Sequence, residues 1–315
     1  MKKISIIGAG AVGSNIAYSL VIKNLAKNIA LIDINNKLVQ AEVLDIKHGI
    51  SCFGDVNIKV GTYQDDIKDS DIIIVTAGRS RRPGETRLDM IVENLKISKI
   101  IAENIKKYYN NNKIIVVSNP VDIITYQISK ILDINKNLIF GTGCSLDTSR
   151  FIFSIADYIS CPISDVSGLV IGEHGDSQVI VWSQTKIKNI LIDDYCKSNN
   201  ILFDQEIKSK IENDVIKMGA NIISGKNKTH FGISTCVCHL VDIILNNKKQ
   251  IISLSSCLDG EFGLCGVSLS LPFVLGQDGV EKLEESICKN LTLEEKSKLI
   301  KSGNNLKEFL DKYII

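Results

Sequence analysis

The stretch Ile4-Ser5-Ile6-Ile7-Gly8-Ala9-Gly10-Ala11-Val12-Gly13 decides the fold of this 315-residue chain. Its apolar first half predicts a buried strand, and its second half places the spacing Gly-x-Gly-x-x-Gly at the start of a helix. At such a turn Gly8 allows a tight bend, Gly10 lets the backbone approach a pyrophosphate, and Gly13 lets the helix pack close to the sheet. The unpaired N–H groups of a helix N-terminus also attract phosphate charge. The stretch therefore predicts a dinucleotide site that includes Gly8, Gly10, Val12 and Gly13.

An acidic residue ends the second predicted strand, Ile29–Asp33. Asp33 lies twenty positions after Gly13, where a carboxylate can accept hydrogen bonds from the adenosine ribose hydroxyls. Its charge would repel a 2′-phosphate, so the predicted cofactor is NAD rather than NADP. The alternative is a solvated turn residue before Asn35, but the shared register of strand, glycines and acid disfavours it.

Short β-rich runs alternate with helix-length segments through the first half of the chain. This alternation predicts an α/β fold, a Rossmann-type doubly wound parallel sheet with helices on both faces. Near Gly143 the rhythm changes, and the second half, with a β-rich block over Ile251–Val274, indicates an α+β catalytic domain. We predict a NAD-binding domain over residues 1–143 and a substrate domain over residues 144–315. The strands predicted in the first half are Ile4–Gly8, Ile29–Asp33, Ile58–Val60, Asp71–Thr76, Lys113–Ser118 and Leu138–Gly141.

Composition excludes several other classes of protein. The net charge is +1 and no basic block could neutralise a row of phosphates, so we expect no nucleic-acid partner. No apolar run approaches the ~20 residues of a membrane helix, and the N-terminus reaches glycine too early for a secretory leader. Nine scattered cysteines indicate reduced thiols in the cytoplasm. Cys236, Cys238 and His239 could bind a metal, but no second cluster completes the site, so a helical core stretch is favoured and no metal is predicted.

One of the four histidines lies among glycines and carboxylates, in Gly172-Glu173-His174-Gly175-Asp176. Imidazole ionises near neutrality, so His174 can give and take a proton during a reaction. The alternative is a histidine that finishes a strand and hydrogen-bonds locally. The dinucleotide fingerprint upstream favours the catalytic interpretation.

With these motifs the chain resembles the L-lactate/L-malate dehydrogenase family nearly from end to end. The resemblance implies NAD-dependent interconversion of a small 2-oxo acid and a 2-hydroxy acid, in a homo-oligomer that is a dimer or a tetramer. It also adds Thr76, Ala77, Gly78 and Asn119 to the cofactor site. The matching strings are Gly8–Gly13, Thr76–Gly78, Pro83–Asp89, Ser118–Asp122, Gly141–Gly143, Leu146–Phe151 and Gly172–Asp176.

The resemblance also assigns catalytic roles. His174 is the general acid, Asp147 orients its imidazole and favours the protonated form, and Arg150 clamps the substrate carboxylate. Arg87 lies on a lid that closes over the substrate carbonyl, and Asn119 hydrogen-bonds the histidine or the nicotinamide. Without the histidine and the fingerprint, Asp147 and Arg150 would indicate a surface ion pair along a helix, and the Arg87 segment a solvated loop.

Two residues give opposing indications of the substrate. Arg81, six positions before Arg87, matches malate-specific members, because a guanidinium can pair with the second carboxylate of oxaloacetate. Thr229 falls where lactate enzymes often place a threonine against the substrate side chain. The strings around Gly141, Leu146 and Gly172 also resemble lactate enzymes. We therefore predict an L-lactate dehydrogenase, with malate dehydrogenase as the alternative and a non-catalytic NAD-binding protein as a remote one.

The resemblance further predicts that fructose 1,6-bisphosphate does not activate this protein. Many bacterial lactate dehydrogenases bind that sugar through an arginine two residues after the clamping arginine and a histidine seven before the catalytic one. Here those positions hold Ile152 and Ser167, neither of which can neutralise a phosphate. Steady-state assays with and without the sugar should give the same KM for pyruvate, and a clear drop in KM would contradict the prediction.

Overall fold

The computed structural model describes residues 2–52, 54–79, 85 and 87–313, without the side chain of Arg87. Arg81 and most of the predicted lid, residues 80–84 and 86, therefore lie outside the described residues.

Six parallel strands in the first half of the chain form the centre of the fold. Each predicted strand is present, with ends that differ by at most two residues from the prediction. The six strands are β1 Lys3–Ile7, β2 Asn28–Ile32, β3 Asn57–Val60, β4 Ile72–Val75, β5 Lys113–Val116 and β6 Ile139–Gly141.

The order of these strands is β3-β2-β1-β4-β5-β6, so the chain reverses direction across the sheet between β1 and β4. Ile4 pairs in register with Ile29 on one side and Ile72 on the other. Ligands of doubly wound sheets bind beyond the carboxyl ends of the strands at this reversal. The predicted Rossmann-type fold class is confirmed, and the glycine turn after β1 lies at that crevice.

The β-rich block of the second half continues the same sheet. Its strands β12 Gln250–Asp259, β13 Cys265–Gly276 and β14 Gly279–Leu283 run antiparallel, and β12 pairs with β6 through Ser255 and Gly141. The described residues thus contain one nine-stranded sheet that links the two halves of the chain. Five shorter strands complete the fold: β7 Val166–Ser167, β8 Val170–Ile171, β9 Val179–Ile180, β10 Lys186–Ile187 and β11 Ile190–Leu191.

Helices cover both faces of the sheet. Ile6 and Ile74 contribute to the apolar core on one face, whereas the neighbouring Ile7 and Ile73 contribute to the core on the other, as alternation along a strand requires. The helices are α1 Ala11–Ile22, α2 Asn36–Gly49, α3 Tyr63–Asp66, α4 Arg87–Tyr108, α5 Val121–Leu132, α6 Ser145–Ile159, α7 Ile192–Ser198, α8 Gln205–Lys226, α9 Phe231–Asn246, α10 Glu285–Lys289 and α11 Leu293–Tyr313.

Candidate active site

In the glycine turn between β1 and α1, Gly8 and Gly13 are tightly packed, whereas Gly10 faces open space. A Cβ on Gly13 would lie 1.8 Å from the carbonyl oxygen of Gly8, and one on Gly8, at φ +107°, would lie 2.7 Å from the amide nitrogen of Ala77. A Cβ on Gly10, in contrast, would meet no atom within 4 Å. The turn therefore leaves the free approach that a pyrophosphate needs, next to the N-terminus of α1. These residues fit NAD.

The segment after β4 braces this turn from the other side of the crevice. Thr76 donates its hydroxyl to the carbonyl oxygen of Gly8 at 3.0 Å, and Ser118 donates to the carbonyl oxygen of Ala77 at 2.7 Å. A Cβ on Gly78 would approach the side-chain oxygen of Asn94 at 3.5 Å. Thr76, Ala77 and Gly78 thus lie beside the predicted cofactor site.

Asp33 lies directly beside the glycine turn. One of its carboxylate oxygens accepts a hydrogen bond from the Ala9 amide at 2.6 Å, and the other accepts from the Asn35 amide at 2.8 Å. The prediction of a solvated turn residue accounts only for the second bond. The hydrogen bond from the Ala9 amide holds the Asp33 carboxylate at the glycine turn itself. Nearby Tyr63 has a pKa raised to about 12, mainly by burial and also by the charge of Asp33.

Replacement of Asp33 by serine should shift the cofactor preference. We expect the ratio of kcat/KM for NADPH to that for NADH to rise about ten-fold or more, because loss of the carboxylate removes repulsion of the 2′-phosphate and a ribose acceptor. Steady-state kinetics with both cofactors measures the ratio. Asp69→Ser, at an exposed acid, is the matched control. An unchanged ratio in Asp33→Ser would contradict the assigned role of Asp33.

His174 and Asp147 form a close, largely buried pair. Nδ1 of His174 lies 2.5 Å from Oδ2 of Asp147, although 27 positions separate the two residues in the sequence. The Asp147 side chain is only 3% exposed, whereas that of His174 is 24% exposed, so the imidazole keeps an accessible edge. This arrangement orients the ring and leaves Nε2 as the nitrogen not engaged by Asp147.

Each partner shifts the pKa of the other toward the charged form. Burial alone would lower the pKa of His174, but the charge and hydrogen bond of Asp147 outweigh it, so this pKa is raised above its ordinary value. Burial would raise the pKa of Asp147, and the opposing effects of His174 and Arg150 hold it below its usual range. The pair therefore favours the protonated imidazole, as a general acid requires.

Arg150 completes the cluster from the next turn of α6. Its Nη1 donates to Oδ1 of Asp147 at 3.0 Å, so one carboxylate bridges the guanidinium and the imidazole. Gly219 of α8 lies alongside, since a Cβ there would be 3.4 Å from Nη2. The guanidinium has donors beyond the one that Asp147 engages, which a substrate carboxylate can accept in parallel.

Two further residues, which the sequence interpretation missed, hold the loop that carries His174. Ser302 of α11 is fully buried and accepts a hydrogen bond from the Glu173 amide at 2.9 Å. Asp122 of α5 accepts one from the His174 amide at 2.8 Å. Asp122 belongs to a motif string, but nothing in its local sequence marks it as a contact of residue 174, and Ser302 has no sequence signal.

Three further residues of the predicted site are Asn119, Arg87 and Thr229. Asn119 accepts from the Val121 amide at 3.2 Å through its side chain, and its carbonyl oxygen accepts from Asn94 at 2.9 Å. Arg87 begins α4, and Thr229 lies between α8 and α9. A contact of any of these side chains with a substrate or cofactor stays a prediction.

The cysteine motif lies in α9, as favoured from the sequence. Cys238 is fully buried in the apolar core, and the Cys236 thiol lies 3.8 Å from the Ser149 hydroxyl. Among the described residues, no group of three or more His, Cys, Asp or Glu side chains could hold a metal ion. Within all the residues that the structure describes, no helix has the length and apolar character needed to cross a membrane.

The fold and these residues define a NAD-dependent dehydrogenase. A glycine turn and an acid form one end of the crevice, and an imidazole, a carboxylate and a guanidinium form the other. The chain belongs to the lactate/malate dehydrogenase family. The NAD-binding domain of that family matches residues 2–141, and its alpha/beta C-terminal domain matches residues 144–314. Family membership confirms the predicted enzyme class and NAD as the cofactor.

Several relatives are similar to this chain over nearly its full length. L-lactate dehydrogenase of Acetivibrio thermocellus is 38% identical over 98% of this chain and 96% of its own length. L-lactate dehydrogenase of Clostridium perfringens strain SM101 is 39% identical over 97% and 95%. The solved minor L-lactate dehydrogenase of Enterococcus mundtii superposes with a TM-score of 0.93 at 31% identity, covering 99% of this chain and 98% of that one. These relatives favour the lactate prediction over the malate alternative.

Proposed function

We propose that this protein is an L-lactate dehydrogenase, which reduces pyruvate to L-lactate with NADH and catalyses the reverse reaction. The contact chain from His174 through Asp147 to Arg150 carries the proposal, because it joins a proton donor to a carboxylate clamp. The position of Asp147 also supports the proposal, because it lies in the first turn of α6, just beyond the carboxyl end of β6. The relatives named L-lactate dehydrogenase support the choice of substrate.

The cluster can bind, orient and protonate a 2-oxo acid. Arg150 would hold the carboxylate of pyruvate through parallel hydrogen bonds and so fix the position of the adjacent carbonyl. Nε2 of His174 would donate a proton to the carbonyl oxygen, and Asp147 would stabilise the imidazolium before that transfer. The glycine turn and Asp33 would hold NADH, which when bound would provide the hydride for reduction of the carbonyl carbon.

Three predicted residues complete the proposed site. Arg87, at the start of α4, would stabilise negative charge on the carbonyl oxygen once the lid closes. Asn119 follows Ser118, which donates a hydrogen bond to Ala77, and would contact the nicotinamide side of the site or His174. Thr229 would contact the methyl group of pyruvate. The support for all three is the family resemblance.

Malate dehydrogenase is a second candidate function because of Arg81. A guanidinium at this position would pair with the second carboxylate of oxaloacetate, and a charged hydrogen bond is worth ~1.5–3 kcal/mol. Pyruvate offers only a methyl group there, so the proposal requires Arg81 to point to solvent or to pair with another residue when pyruvate binds. The relatives weigh against the malate candidate.

We also propose a cytoplasmic location and a homo-oligomeric state. All nine cysteines are free, which suits a reducing compartment. Large apolar side chains are exposed on α1, α2 and α9, where another subunit could cover them, including Tyr18, Ile22, Leu44 and Phe231.

Identification of the product tests the proposed function. Purified protein incubated with pyruvate and NADH should oxidise NADH and release an equal amount of lactate, which chiral chromatography resolves as the L enantiomer. Formation of D-lactate, or NADH oxidation without lactate, would contradict the proposal.

A further inference from the structure

A second carboxylate lies beneath the catalytic histidine. Asp122, in the first turn of α5, is 3% exposed, and its Oδ2 accepts the hydrogen bond from the His174 amide at 2.8 Å. Its other oxygen, Oδ1, is buried, and the nearby side chain of Ser255 helps to stabilise the carboxylate. A carboxylate buried this deeply is costly to keep charged, so the few groups that stabilise its anion determine its ionisation.

The loop that carries His174 lies between two short strands and contains two glycines. Glycines flank it at Gly172, with φ +91°, and at Gly175, and the adjoining strands β8 and β9 contain two residues each. The hydrogen bond that the His174 amide donates to Asp122 fixes the main chain at residue 174 itself. Ser302 fixes only the preceding residue, through the Glu173 amide.

The charge of Asp122 has no cationic partner within the described part of the chain other than His174. No lysine or arginine there forms an ion pair with it, whereas buried Asp66 contacts both Lys3 and Lys59. The imidazolium of His174 stabilises the Asp122 anion, and that anion in turn favours protonation of His174. The titratable and charged groups that face the two residues are Asp147, Arg150, Cys144 and Glu173.

We propose that Asp122 is a positioning residue for His174, which fixes the main chain of the catalytic loop and supports the protonated imidazole by its negative charge. This role rests on the proposed function only where turnover is concerned, because the protonation of His174 can be measured without substrate. Asp122 acts through His174 and does not contact the reacting atoms.

The ionisation of Asp122 gives this arrangement a second pH dependence. Burial raises the pKa of Asp122 to about 6, although the amide and charge of His174 and the nearby Ser255 oppose the rise. The pKa of His174 is raised above its ordinary value, so with rising pH Asp122 loses its proton before His174 does. Below pH about 6 Asp122 becomes neutral, and its support for the imidazolium is lost.

The test is an NMR titration of protein labelled with ¹³C at histidine Cε1, in which four signals are expected. The signal of His174 is assigned by its absence from His174→Asn. In Asp122→Asn, which keeps a hydrogen-bond acceptor but removes the charge, the pKa of His174 should fall by about one unit. The ratio kcat/KM for pyruvate above that pKa should then fall about ten-fold, because a smaller fraction of the imidazole is protonated.

Ser302→Ala is the matched control, since it removes another side-chain contact of the loop without a change of charge. Its His174 pKa should stay within about 0.3 unit of the parent value. A shift below about 0.5 unit in Asp122→Asn, or an equal shift in Ser302→Ala, would overturn the proposal. If the pKa of His174 falls as expected in Asp122→Asn but the unaltered protein does not turn over pyruvate, only the proposed function is contradicted.

The unaltered protein provides a further test if Asp122→Asn does not fold. Its His174 signal should show a second, smaller inflection near the pKa of Asp122, about 6. A titration curve with one step only would overturn the proposal.

Discussion

Replacement of His174 by asparagine is expected to lower kcat for pyruvate reduction by about a hundred- to ten-thousand-fold, the usual contribution of a general acid. Asparagine keeps hydrogen-bonding capacity near Asp147, but it cannot donate a proton to the carbonyl oxygen at neutral pH. The glycine turn and Asp33 lie in the other part of the crevice, so the affinity for NADH should stay within about two-fold of the parent value.

Two measurements separate catalysis from folding in this variant. Stopped-flow absorbance at 340 nm gives the rate of NADH oxidation, and a fluorescence titration gives the dissociation constant of NADH. His48→Asn, at an exposed histidine of α2, is the control and should keep both values. A parallel loss of turnover and NADH binding in His174→Asn would indicate a fold defect, and full activity would remove His174 from the mechanism.

Replacement of Arg150 by lysine should lower kcat/KM for pyruvate by about a hundred-fold, mainly through a higher KM. Lysine keeps the positive charge, but an ammonium is a point charge and cannot donate two parallel hydrogen bonds to the substrate while also pairing with Asp147. Loss of one charged hydrogen bond costs ~1.5–3 kcal/mol, which corresponds to roughly a ten- to hundred-fold loss, and the disturbed Asp147 contact adds to it.

A substrate without a carboxylate supplies the control for Arg150→Lys. Methylglyoxal has an aldehyde where pyruvate has its carboxylate, so the clamp contributes little to its binding. Steady-state kinetics should therefore show a far smaller difference between parent and variant with methylglyoxal than with pyruvate. Equal losses with the two compounds would mean that Arg150 acts only through Asp147 and does not clamp the substrate.

Local features of the fold are predictable from the sequence because they depend on neighbouring residues. The β1 strand, the glycine turn and Asp33 follow from apolar runs and fixed spacings, and the structure has them close together. The extension of the sheet by β12 is not predictable in this way. It depends on pairing between Gly141 and Ser255, which are far apart in the chain, and no local pattern encodes that contact.

The site shows the same division. Asp147 and Arg150 share a helix face, so their proximity follows from a spacing of three residues. No periodicity joins His174 to Asp147, so only the family resemblance predicts their contact. Ser302 approaches the catalytic loop from 129 positions away through the docking of α11, and Asp122 reaches it from α5. Such support depends on tertiary packing, which only the structure provides.

Comparison of kcat/KM for pyruvate and for oxaloacetate, by NADH oxidation at 340 nm over matched concentrations, tests the central claim most directly. An L-lactate dehydrogenase should give the higher value with pyruvate, and Arg81 should then contribute little to selection of the substrate. A value at least about ten-fold higher with oxaloacetate, the size expected for one charged hydrogen bond, would contradict the claim and make this protein a malate dehydrogenase with Arg81 as the cause. Activity with neither substrate would contradict both candidate functions.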